Sequence, residues 1–120
     1  MTGMRIVAYV AFAAVLAACS SPTPQQRVAS AELNDLATLK HRYAGVVMGF
    51  ELRPHNLLVV SLDLQSYIEM DDDSVAALKR DALASWRSAW AGEHPQAHAV
   101  LRVRFIDFIG RKVAEETTKV

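Results

Sequence analysis

The sequence predicts a small single α+β domain, a four-stranded sheet covered on one face by an amphipathic helix, in the order α-β-β-α-β-β. Three observations predict it. Apolar residues alternate with period two across residues 46–64, on both sides of a proline-containing turn. They then recur at helical spacing from Val75 to Trp90, and alternate again at Leu101, Val103 and Phe105. A sheet with one apolar face needs a cover, and the helical stripe is the one segment long enough to supply it. At 120 residues the chain has room for one small domain and not two.

The first helix is expected over residues 30–42. Glu32 falls in its first turn and Lys40, His41 and Arg42 in its last, the charge order that suits the helix dipole. Leu33, Leu36, Ala37 and Tyr43 give it a thin apolar face. From residue 46 the period becomes two: Val46, Met48, Phe50 and Leu52 alternate with Val47, Gly49, Glu51 and Arg53. Arg53-Pro54-His55-Asn56 is a turn, with proline suited to the second turn position. Leu58, Val60, Leu62 and Leu64 then alternate with Val59, Ser61 and Asp63, completing a β-hairpin with one apolar face.

Asp71-Asp72-Asp73-Ser74 opens the strongest helix, because these side chains cap free amides and meet the positive end of the dipole. Val75, Leu78, Ala82, Leu83, Trp86, Ala89 and Trp90 share one side of it, and Gly92 followed by Pro95 is expected to end it. Trp86, in mid-stripe, reads as core; Trp90, in the last turn, is expected to be partly exposed. Leu101, Val103 and Phe105 alternate with Arg102 and Arg104 in a third strand, Gly110 marks a turn, and residues 112–120 return as a fourth. Arg102 and Arg104 would then face Glu115 and Glu116. If the second and third strands are neighbours, their crossover makes them parallel. The fourth is poorly patterned, as befits an edge that accepts a partner strand.

Ahead of this domain, residues 6–18 form an apolar run preceded by Arg5 and closed by Leu16-Ala17-Ala18-Cys19. At about 1.5 Å per residue the run is too short to cross a hydrocarbon core of about 30 Å. A basic start, an apolar core and a small-residue exit describe a secretory signal peptide. With Cys19 in place the segment resembles a bacterial lipoprotein signal, Leu16, Ala17 and Ala18 forming the lipobox. The resemblance implies cleavage before Cys19, a thioether-linked diacylglycerol on it, and a further acyl chain on the new amino terminus. Two or three chains anchor stably where one does not. Ser20 after the cysteine implies the outer membrane, facing the periplasm. The alternative is Ala-x-Ala-like cleavage that releases a soluble protein with a free thiol. Met4, directly before Arg5, is a second plausible start.

The resemblance ends there and says nothing of the folded domain. The boundaries it sets are residues 1–18 for the signal, 19–29 for the acylated cysteine and a flexible tether, and 30–120 for the domain. Within the tether, residues 20–27 carry no apolar side chain to bury beyond Pro22 and Pro24 and are expected to be extended. The 13 basic and 13 acidic residues cancel, and no basic stripe invites nucleic acid. Cys19 is the sole cysteine, so no disulfide forms within the chain.

Candidate chemistry is sparse. His94 and His98 are four apart, but Pro95 separates them and no third ligand follows, so no metal is expected. Asp71-Asp72-Asp73 lacks the alternating ligands, glycine and closing glutamate of a calcium loop. No Gly-x-Ser-x-Gly and no glycine-rich phosphate loop occur, so neither an enzyme nor a cofactor is expected. A helix/sheet pocket near Ser61, Asp63 and Tyr67 would mark the alternative, a ligand-binding protein or small hydrolase. Asp107-Phe108-Ile109-Gly110 stands out, since a hairpin tip is normally polar. Either Phe108 and Ile109 fold back to close the core, or they are exposed anchors. Phe108, Ile109 and Trp90 are thus the candidate contact residues. The expected role is a lipid-anchored, non-enzymatic binding or assembly module, held to the membrane through Cys19 and meeting an envelope protein.

Overall fold

A computed structural model describes residues 21–120; the signal, its lipobox, Cys19 and Ser20 lie outside the described residues. The elements are α1 (Pro24–Asp35), α2 (Ala37–Arg42), β1 (Val47–Arg53), β2 (Leu57–Leu62), α3 (Leu64–Ile68), α4 (Asp72–Glu93), β3 (Val100–Ile106) and β4 (Lys112–Lys119). The sheet order is β1-β2-β3-β4. Its outer pairs are antiparallel, while β2 and β3 run parallel, as the crossover through α4 requires. The fold is α+β, with α4 over β3 and β4, and α1 and α2 over β1. The cover is therefore a layer of helices, with α1 packed along α4.

The core between the layers joins Leu36 and Leu39 to Val47, Leu58, Val60, Leu62, Leu78, Ala82, Trp86, Ala89, Leu101, Val103 and Phe105. Asp71 caps α4, its side chain accepting from the Ser74 amide at 2.7 Å, as the acidic run foretold. The helix runs one residue past Gly92 to Glu93, with His94 as its C-cap, and so ends between Gly92 and Pro95 as expected.

Five expectations about the fold are corrected. The tether is not extended throughout: α1 begins at Pro24. Thr23 accepts from the Gln26 amide at 3.1 Å while Gln26 Oε1 accepts from the Thr23 amide at 2.8 Å. That reciprocal capping box, followed by proline at the first helical position, starts a helix without apolar help. The helix expected over residues 30–42 is instead two, broken at the buried Leu36.

In β1 the register shifts between Val47 and Gly49. Val47 is buried in the core and Met48 is 55% exposed, the reverse of the expected phase. Beyond the bulge, Phe50 and Leu52 pack on the core as their alternation predicts. In β2, Val59 is fully buried although its phase assigns it to the outer face. It groups there with Leu57 and Ile106, and the register places Glu51 and Arg104 beside Val59, Arg53 and Arg102 beside Leu57. A central strand flanked by long charged side chains is covered by their aliphatic stems. Arg104 pairs with Glu115 at 2.9 Å, as expected, but Glu116 turns to the helix layer and meets Lys79 of α4 at 3.8 Å.

Candidate functional site

The two ends of the sheet carry different surfaces. At one end the Pro54-His55-Asn56 turn meets the N-terminal half of α1 and the last turns of α4, enclosing a cleft of about 520 Å³. His55 and Asn56 both adopt left-handed backbone, with φ of 66° and 57°. This conformation lets Asn56 serve both tryptophans: its carbonyl accepts from Trp86 Nε1 at 3.2 Å, its side-chain oxygen from Trp90 Nε1 at 3.3 Å. Trp90 is consequently 5% exposed, and the expectation of a partly exposed contact residue is corrected. A tryptophan in a last turn is buried here because a turn distant in sequence supplies its indole partner.

Within the cleft, Glu32 of α1 is buried and meets His94 Nε2 at 3.0 Å, while the His94 ring stacks on Trp90 at 4.5 Å between centroids. Burial pushes the Glu32 carboxyl above its ordinary range, with His94 opposing in part. A raised carboxyl binds more protons folded than unfolded above the unfolded value of 4.5, so its contribution to stability falls as pH rises through that window. Glu32→Gln, a mimic of the protonated acid, is expected to gain stability relative to the native protein as pH climbs from 4.5 to 7. Urea titrations across that range check this; parallel pH profiles for the two proteins would refute it. The cleft lining, which includes Gln25, Val28, Leu52 and Arg53, holds no hydroxyl or thiol nucleophile.

At the opposite end lies an open groove of about 620 Å³, lined by Met48, Leu62, Asp63, Leu64, Gln65, Ile68, Glu69 and Phe108. Met48 is present because the bulge turns it outward, and Ile68 because α3 ends there, 69% exposed. Phe108 is 86% exposed and Ile109 58%, so the hairpin tip stands away from the core.

Asp107 holds that tip rigid. Buried at its base, it accepts from the amides of Ile109 (3.1 Å) and Arg111 (2.9 Å) and from Arg111 Nε (2.8 Å). Burial alone would raise this carboxyl, but the hydrogen bonds from Arg111 and Ile109 outweigh it and hold it below the ordinary range. Gly110 supplies the left-handed residue of the turn, with φ of 86°. Phe108 is thus presented by a braced loop. Tyr43, at the end of α2, donates to Asp81 and so fastens the α2–β1 corner to α4; burial and this bond push its phenol up to about 12.

Of the residues anticipated around a helix/sheet pocket, Ser61, Asp63 and Tyr67, only Asp63 lines the groove. Asp63 caps α3 by accepting from the Ser66 amide at 3.2 Å, Tyr67 packs on the core, and Ser61 belongs to the outer face with Val59. Among the described residues no group of three or more His, Cys, Asp and Glu is placed to hold a metal, and no helix is long and apolar enough to cross a membrane. Sequence reasoning found Phe108 but missed Met48, Ile68 and the buried Glu32. The signal for α1 was present in Thr23-Pro24-Gln25-Gln26; nothing local marks Met48 or Ile68. No protein-family model, curated protein or solved structure matches the chain. What fold and site together define is a small α+β domain with an apolar groove at one end of its sheet.

Proposed function

We propose that this chain is a lipid-anchored protein of the bacterial envelope, acting as a binding or assembly module without catalysis. The observation that carries the reading is Phe108, an exposed aromatic on a tip braced from beneath by a buried carboxylate. Exposed large side chains gathered in one concavity are how soluble domains present interaction sites. The lipobox-like Leu16-Ala17-Ala18-Cys19 supports attachment to a membrane, and Ser20 the outer membrane's periplasmic face. α1 starts with Pro24 in the cleft, at the end of the sheet opposite the groove, so an anchor attached ahead of α1 would leave the groove open to a partner. A second reading, a periplasm-facing ligand-binding protein, is favoured by the cleft over Trp86 and Trp90.

Photo-crosslinking in intact cells separates these readings. A photoreactive residue replaces Phe108, with a control at Arg87, on the flank of α4. A discrete protein adduct at Phe108 and none at Arg87 is the expected result. Adducts at neither position, or adducts to phospholipid alone, would overturn the assembly reading and turn attention to the cleft.

A further inference from the structure

The groove has a sign as well as an apolar floor. We infer that it receives a basic amphipathic segment of a separate partner protein, one with aliphatic or aromatic anchors flanked by lysine or arginine. This deepens the assembly reading above and rests on it.

The charge of the lining carries the argument. Both ionisable residues of the groove, Asp63 and Glu69, are acids, and no lysine or arginine lines it. Asp72 and Asp73 follow within a few residues, exposed in the first turn of α4. The nearest cation on the tip, Arg111, is held by Asp107, and Lys112 opens β4 beyond it. Met48, Ile68 and Phe108 supply exposed apolar area in this open groove, the arrangement that receives a segment with apolar residues on one face. Acids beside such a groove select lysine or arginine at the flanks and reject acidic competitors.

Two facts argue against a lipid surface as occupant. Bilayers rich in anionic lipid carry a negative surface potential and repel an acidic lining. The groove is also displaced from the end of the domain where α1 begins. Met48 lies in it while Arg53, five residues along β1, lines the cleft beside Pro24, a separation of about 17 Å at strand rise.

The test uses the full-length chain in nanodiscs of zwitterionic lipid, with empty nanodiscs subtracted. The probes are two fluorescent helical peptides, one with leucine on one face and lysine on the other, the second with glutamate for every lysine. The lysine peptide is expected to bind, to weaken at high salt, and to lose about tenfold in affinity on Ile68→Ser and on Glu69→Lys. Both side chains are exposed, so these variants keep the fold. Equal binding of the two peptides, or indifference to both substitutions, overturns the inference. Mass spectrometry of the Phe108 adduct from cells then separates the two levels. A crosslinked segment rich in lysine or arginine supports the inference. A neutral or acidic segment, or a second copy of this chain docked by its basic α4 flank of Lys79, Arg80 and Arg87, overturns the inference and leaves the assembly reading standing. Absence of any protein adduct overturns both.

Discussion

Trp86→Ala is expected to cost about 3–5 kcal/mol, the largest loss of stability from any single truncation in this domain. Trp86 is the largest fully buried side chain and sits on α4 where the helix layer meets the sheet. Its removal leaves a void in a cluster whose other members include Leu58, Val60 and Val103, held in strands, so the core can collapse into it only in part. It also removes the donor to the Asn56 carbonyl, one of the two tryptophan hydrogen bonds between α4 and the β1–β2 turn. Domains of this size are stable by about 5–15 kcal/mol, so the variant stands close to unfolding. The midpoint of urea denaturation measures the loss. Trp86→Phe isolates the hydrogen bond: it keeps most of the bulk and is expected to cost much less than the alanine. An alanine variant within about 1 kcal/mol of the native protein would show that the packing of α4 on the sheet is misread.

Cys19→Ala is expected to move the protein from the membrane to the soluble periplasmic fraction. The substitution leaves the apolar run of the signal in place but removes the sulfur that would carry the diacylglycerol. Among the described residues no helix can take over as a membrane span. Anchoring by two or three acyl chains resists salt, whereas residual electrostatic attachment does not. Fractionation after a high-salt wash, followed by mass determination of the N-terminal peptide, reads the result. Retention of the variant in the membrane pellet would sink the lipid-anchor proposal.

Phe108, Trp90 and Met48 show how far local pattern reaches. Phe108 was legible because an aromatic in a tip ending in glycine breaks the ordinary composition of a turn, and that anomaly needs no tertiary information. Its exposure was not legible: the same residues could have folded back over Phe105. The outcome turns on Asp107, whose carboxylate gathers the amides of Ile109 and Arg111 and so pins the tip outward. Trp90 failed for the converse reason. Position in a helix says which side a residue faces, but whether a distant turn arrives to cover it depends on the left-handed Asn56. Met48 was assigned inward by a period of two, and the bulge reversed it. The groove is assembled from residues 48, 62–69 and 108, so no window of sequence contains it.

The alternation of the first three strands, the cap and apolar stripe of α4, and hence the α+β class, are all readable from the sequence. These follow from interactions between residues two to four apart, which a linear pattern records directly. Tertiary packing settled that β2 and β3 are parallel neighbours, that Val59 is buried between charged cross-strand neighbours, that Glu32 and His94 meet, and that Met48, Ile68 and Phe108 share one groove with acidic lining. Each of those depends on which distant segments the hydrophobic core brings together. Burial of apolar area is non-directional, so it drives collapse without encoding in any one segment the neighbour that segment will meet.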